Sequence, residues 1–284
     1  MRYPQKGITL QLQEILKKGT SQLRNIAERP LLESEILLSF ILQKNRVFLH
    51  THPNLILTNS QIRAIHKLFK RRENGEPIEY ITHSVSFMEY FFYITKGALI
   101  PRPESEILIE KTKSLILQTN AKNVAEIGVG SGALICSLSL SCPNIQFFGN
   151  DISLKALRIA TINIKRHSLQ KRITLNQSSL LDKIPQNIEI IYSNPPYIQN
   201  NIPLPKPVLY EPKEALFGGE MGDEILKQII FLTHQRKIPY LLCEMGYNQR
   251  ESIEAYVQQF TPKKITFYQD LAGLERGFII EFGG

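Results

Sequence analysis

Glu126-Ile127-Gly128-Val129-Gly130-Ser131-Gly132-Ala133 closes a short apolar run, residues 123–127, and leads into a helical stretch, residues 134–141. A glycine-rich turn between a strand and a helix lets the backbone approach a ligand that a Cβ would push away. The spacing is GxGxG behind an acid, Glu126. It is not the GxGxxG that seats a pyrophosphate on a helix N-terminus, and no Gly-Lys-Ser/Thr follows to make a P-loop. S-adenosylmethionine suits such a turn, because it carries an amino acid, a ribose and an adenine but no phosphate. NAD is the competing ligand at this level. Gly128, Val129, Gly130, Ser131 and Gly132 are the candidate cofactor contacts in the turn.

Outward from the turn, short apolar runs alternate with helical patterns. The runs are 123–127, 146–150, 172–176, 188–193, 240–244 and 266–268. Such alternation predicts βαβ units and hence an α/β fold, a Rossmann-like, doubly wound and mostly parallel sheet. The second run ends at Asn150-Asp151, where a carboxylate at a strand tip can accept both ribose hydroxyls.

The fourth run ends in Ser193-Asn194-Pro195-Pro196-Tyr197. The two prolines fix φ and hold the residues before them extended, so the carbonyls point in set directions. Ligands of open α/β sheets bind at the carboxyl ends of strands near the switch point, which predicts that this loop and the glycine turn share a crevice. An amide or aryl amine nitrogen is a poor nucleophile, its lone pair being delocalised. The Asn194 side-chain oxygen and the Pro195 carbonyl can take its two hydrogens, aim the lone pair and favour the charge that develops on nitrogen. Tyr197 offers a flat π face to a planar amide or base. No general base is then required, and no Ser/His/Asp triad is in sight; the six histidines lie in helical or linker stretches.

Residues 8–72 read as helices. Ile8, Leu12, Ile15 and Leu16 share a face, Pro30 suits the first turn of a second helix, and Ser60 is the candidate cap of a third over residues 61–72. Residues 78–95 turn β-branched and aromatic, which predicts a hairpin. The expected organisation is a helical domain over 1–74, a β-hairpin linker over 75–98 and a catalytic domain over 99–284. Residues 1–72 carry 13 Lys+Arg against 4 Asp+Glu, a balance of +9, and the remainder carries 21 against 22, or −1. The basic excess therefore sits in the helical region, where it can coat a solvated surface or steer an acidic protein or RNA. No apolar run approaches the ~18 residues of a membrane helix, and residues 1–6 have no apolar stretch behind them to make a secretory signal. Cys136, Cys142 and Cys243 form no CxxC pair; reduced thiols in a cytoplasm fit best, and no metal is expected.

The glycine turn and the Asn-Pro-Pro-Tyr loop together resemble class I amino-nitrogen methyltransferases. Further segments narrow the likeness: Leu99-Ile100-Pro101-Arg102-Pro103-Glu104-Ser105-Glu106, Tyr210-Glu211-Pro212 with Ala215-Leu216 and Gly218-Gly219, and Asp270-Leu271-Ala272-Gly273 before Arg276-Gly277. This set resembles the release factor glutamine methyltransferases, the HemK/PrmC family, along the whole chain. The resemblance implies methylation of the side-chain N5 of the glutamine in the Gly-Gly-Gln loop of class 1 peptide-chain release factors. S-adenosylmethionine would be the donor and S-adenosylhomocysteine the product, and the N-terminal helical domain would help dock the release factor. It implies cofactor roles for Glu126, Gly128 to Gly132, Asp151 and Asn194, and substrate roles for Asn194 to Tyr197 with Arg102 and Glu104 walling the pocket. An ion pair between domains is the other reading of Arg102 and Glu104.

The chain departs from the family pattern in places. Ser178-Ser179-Leu180 stands where an acid and an aromatic or leucine are usual, with the nearest acid at Asp182; Leu180 is expected to pack on the adenine. Glu126 replaces an Asp, Ser105 a threonine and Met221 an Asp. Two other functions fit the motifs less well: a nucleic-acid exocyclic amino methyltransferase, and a protein that binds a translation factor without catalysis. Base-modifying enzymes extrude their target and usually carry extra elements for it. No recognition domain follows the core here, and the near-neutral catalytic region offers no phosphate-binding stripe.

Overall fold

The computed structural model describes residues 10–283; Ile8 of the first expected helix and the basic start, residues 1–6, lie outside them. Two compact units result. One runs to His83 and takes in Pro205–Tyr210; the other combines Ser84–Leu204 with the chain from Glu211 onward.

The first unit is helical: α1 (Leu12–Leu23), α2 (Pro30–Leu42), α3 (Arg46–Thr51), α4 (Asn59–Glu73) and α5 (Ile78–Thr82). Leu12, Ile15, Leu37, Leu38, Ile65 and Phe69 form its buried centre. Gly19 is needed in α1 because a Cβ there would stand 2.2 Å from the Phe69 ring. Thr58, not Ser60, caps α4, since a capping box pairs Thr58 with Gln61 three residues on. The short α3 escaped the periodicity reading; Asn45 caps it by accepting from the Phe48 N–H at 2.9 Å. Ile78–Thr82 forms a helical turn rather than the start of a hairpin. The Pro77 carbonyl accepts the Ile81 N–H at 3.2 Å, and Ile81 joins the helical core.

The second unit opens with the hairpin β1 (Val85–Phe87) and β2 (Tyr90–Phe92), then α6 (Ser105–Thr119). There follow β3 (Asn123–Ile127), α7 (Ala133–Ser141), β4 (Gln146–Asp151), α8 (Leu154–Arg166), β5 (Ile173–Gln177) and β6 (Ile190–Ser193). The rest is β7 (Ile198–Gln199), β8 (Phe217–Gly219), α9 (Glu224–Gln235), β9 (Tyr240–Glu244), α10 (Arg250–Val257), β10 (Lys264–Gln269) and β11 (Glu275–Glu281). Seven strands make one sheet in the order β5-β4-β3-β6-β9-β11-β10. Five pair in parallel, while β11 runs antiparallel to both β9 and β10. Helices on both faces bury the strands, and so β3 and β6 are almost entirely buried. One core layer joins Ile191, Leu241 and Phe278 to Leu226, Ile229 and Ile230 of α9.

The chain winds outward from β3 through β4 to β5, then returns to β3's other side as β6. The crevice at the carboxyl ends of β3 and β6 is therefore the switch point. The glycine turn leaves β3 there, and Asn194 leaves β6.

Candidate active site

A cleft opens at that switch point, and all of the described residues that line it belong to the second unit. Its floor is the glycine turn. Gly128 and Gly130 have φ of 74° and 53°, and an added Cβ at either would meet nothing within 4 Å. The space is thus left for a ligand. Gly132 differs: at φ 77° it caps α7, and a Cβ would stand 2.9 Å from Ala160. It serves helix packing and does not line the cleft. Asn163 braces the turn from beneath, its amide nitrogen donating to the Ser131 carbonyl at 2.9 Å and to Tyr93 at 2.8 Å.

Asp151 faces the turn. One carboxylate oxygen accepts the Gly130 N–H at 2.9 Å and the other the Ser153 N–H at 2.8 Å. Burial pushes its pKa above the ordinary carboxylate range, against the pull of those two N–H groups. Ser179, Leu180 and Val129 also line the cleft, whereas Asp182 is exposed and does not. Leu180 sits at φ 43°, a left-handed conformation costly for a leucine, and Asn150 holds it by donating to its carbonyl. Glu126 lies at the floor, fully buried, accepting the Tyr192 hydroxyl at 2.9 Å. Burial raises its pKa well above the usual value, and the tyrosine only partly offsets that.

The cleft's charge discriminates between ligands. Glu126, Asp151 and Glu214 line it, with no Lys or Arg among the described lining residues. A pyrophosphate would meet carboxylates, whereas a sulfonium or ammonium meets a favourable field. Together with the open glycines, this fits S-adenosylmethionine and disfavours NAD.

On the β6 side, Asn194, Pro195 and Pro196 line the same cleft. The Asn194 amide nitrogen donates to Ser105 Oγ at 2.9 Å, and Ser105 in turn donates to Glu244 Oε2 at 2.6 Å. Among the described residues none donates to Asn194 Oδ1 or to the Pro195 carbonyl. Tyr197 does not line the cleft. Its hydroxyl donates to Glu244 Oε1 at 3.2 Å, its ring packs on the sheet core, and burial pushes its pKa up. The loop is held from behind: Gln249 donates to the Tyr197 carbonyl at 3.0 Å and the Ile198 N–H to Leu216 at 2.9 Å.

Arg102 and Glu104 do not pair with each other. Arg102 pairs with Glu211, whose other oxygen accepts the Ile100 N–H at 3.0 Å. That clamp holds residues 97–101, several of which line the cleft. Glu104 is exposed at the start of α6.

Comparison with known proteins matches residues 14–82 to the PrmC N-terminal domain and residues 103–204 to the methyltransferase small domain. A release factor glutamine methyltransferase of Coxiella burnetii is 33% identical over 277 residues, 96% of this chain and all of the relative. One from Dictyoglomus turgidum is 36% identical over 231 residues, 79% of this chain and 81% of the relative. The chain belongs to the release factor glutamine methyltransferase family. Among solved structures, the human METTL16 catalytic domain bound to an RNA hairpin superposes with TM-score 0.58 at 16% identity, covering 81% of this chain and 86% of that one. The N-terminal domain of human METTL16 in complex with SAH gives 0.54 at 14% identity, covering 87% and 94%. At those identities the likeness is one of fold.

In this family member the motifs read from sequence converge as expected at the glycine turn, Asp151 and Asn194. Glu244 was missed. Its signal was available, since a carboxylate closing a parallel strand at the carboxyl edge sits where ligands bind. Ser105 was noted only as a substitution, and Glu211 only as part of a motif.

Proposed function

We propose that this chain methylates the side-chain amide N5 of the glutamine in the Gly-Gly-Gln motif of class 1 peptide-chain release factors. S-adenosylmethionine supplies an electrophilic methyl group on a sulfonium. Gly128 and Gly130 leave room for its amino-acid end, Asp151 accepts its ribose hydroxyls, Leu180 covers its adenine, and Asp151 with Glu214 sets a negative field for its positive charges. Asn194 Oδ1 and the Pro195 carbonyl each accept one hydrogen of the glutamine amide. That turns the nitrogen lone pair toward the cofactor side of the cleft and favours the charge it gains. Pro195 and Pro196 keep the two acceptors stiff. The extra proton leaves after transfer, so no buried base is needed.

The observation that carries this reading is the pair of unclaimed acceptors, Asn194 Oδ1 and Pro195 O, in one cleft with an acid-lined glycine turn. The names borne by the curated relatives support the release factor as substrate. Residues 1–74, which carry a charge balance of +8, are proposed as the docking domain and the hairpin within 75–98 as the linker. A cytoplasmic site of action fits a translation factor as substrate, and among the described residues no helix is long and apolar enough to cross a membrane.

Purified protein and labelled methyl donor, offered release factor, its Gln-to-Ala loop variant, DNA and rRNA in parallel, test the reading. Label should enter intact release factor alone; label in nucleic acid only would overturn it. Asn194→Ala should lose roughly 10²–10³ in kcat, as for one oriented acceptor.

A further inference from the structure

An asparagine amide has two ends of nearly equal size, one a donor and one an acceptor. Turned over, Asn194 would present NH₂ to the substrate's NH₂, and the site would repel what it has to hold. Something must therefore choose the orientation. Ser105, fully buried at the start of α6, is, among the described residues, the one side chain bonded to the Asn194 nitrogen. A hydroxyl alone cannot choose, because it both donates and accepts. Glu244, buried at the end of β9, removes that freedom: its Oε2 takes the single hydroxyl hydrogen at 2.6 Å. Ser105 is left with lone pairs only, and these require the NH₂ end of Asn194. The oxygen end then faces the cleft. Tyr197 donates to the other Glu244 oxygen at 3.2 Å and holds the carboxylate in place.

We infer that Ser105 and Glu244 are positioning residues that set the orientation of the Asn194 amide. The inference rests on the role given to Asn194 above. It concerns three residues brought together from α6, β6 and β9, none of which touches the reacting atoms except Asn194.

The test uses the full chain with Ser105→Ala, Ser105→Thr and Glu244→Gln. Glutamine at 244 keeps the shape but can offer its NH₂ to Ser105. That frees the hydroxyl hydrogen for Asn194 Oδ1 and reverses the relay. Ser105→Ala and Glu244→Gln should lower kcat by roughly 100-fold, the scale of a misplaced reactive group, with KM for release factor and affinity for S-adenosylhomocysteine little changed. Ser105→Thr keeps the hydroxyl and should restore kcat. In cofactor-free protein, one side-chain N–H of Asn194 should resist exchange by NMR, and lose that protection in Ser105→Ala.

Normal kcat in Ser105→Ala, or unaltered exchange of the Asn194 amide there, overturns the inference. Should Glu244→Gln fail to fold, the serine pair decides alone. The two readings fail separately. An inactive Asn194→Ala beside a fully active Ser105→Ala sinks only the positioning role, whereas an active Asn194→Ala sinks the proposed chemistry.

Discussion

Gly218 lies so close to the Pro196 carbonyl that a Cβ at residue 218 would stand 2.5 Å from that oxygen, and 2.3 Å from the carbonyl oxygen of Gly222. Both contacts are with backbone, which cannot rotate out of the way. The Gly218-Gly219 pair, visible in the sequence only as a family motif, thus forms the wall against which the proline loop rests.

Gly218→Ala should therefore displace the loop and cut kcat while the cofactor turn still binds S-adenosylhomocysteine. Gly273→Ala is the control. Its φ of 77° is unfavourable to a side chain, which the backbone at Gly218 is not, but a Cβ there meets nothing within 4 Å. It should lose about 1–2 kcal/mol of stability from backbone strain and keep its turnover. Equal kcat losses in both variants would remove the special role given to Gly218.

Arg102→Ala should loosen residues 97–101 beside the cleft. Glu211 is almost fully buried and, among the described residues, would keep only the Ile100 N–H as partner. Leaving such an acceptor half-satisfied costs about 1–3 kcal/mol, and the one-third exposure of Arg102 points to the lower half of that span. Urea denaturation reads the stability, and calorimetry should show weaker S-adenosylhomocysteine binding, since residues 97–101 help line the cleft.

Glu126 should give ligand-free protein a pH signature. Burial lifts its folded pKa well above the ordinary 4.5, so between those values the folded chain holds a proton that the unfolded chain has released. Its contribution is fully present below about pH 4.5 and is lost as pH rises through the folded pKa. Glu126→Gln still accepts from Tyr192 and should flatten that decline. Identical slopes in the two proteins, measured by denaturation from pH 5 to 8, would show that Glu126 is ionised in the fold.

Cys136 and Cys243 should resist thiol reagents in the native protein. Both are buried without measurable exposure, and burial pushes their thiols up, away from the reactive thiolate. Thiol-specific labelling should reach them only after denaturation; rapid native labelling of Cys243 would mean that the sheet opens at β9.

Much of this was legible locally. Glycines behind a buried strand, an acid at the next strand's tip and a proline-stiffened loop each carry their meaning in a few adjacent residues. The misses have a common cause. Ser105 and Glu244 are 139 residues apart, and only the closed sheet brings them together. Thr58 won the cap of α4 from Ser60 because Gln61 stands three residues on to close the box. Tyr197 looked like a substrate platform by type, yet its hydroxyl found Glu244, a partner invisible from the loop itself. The strand Glu275–Glu281 carries only a three-residue apolar signal, Phe278-Ile279-Ile280, and takes its form from pairing with β9 and β10.

That last strand is wedged between β9 and β10, and it alone runs against the others. The sheet therefore cannot be completed in the order in which its strands are made. A ribosome that has produced everything through Gln269 has released one edge strand with nothing yet to lie beside. Glu244 sits next to Gly277 in the finished register, so the carboxylate that aligns Asn194 gains that neighbour only when β11 is in place. Catalytic competence should therefore wait until β11 has joined the sheet.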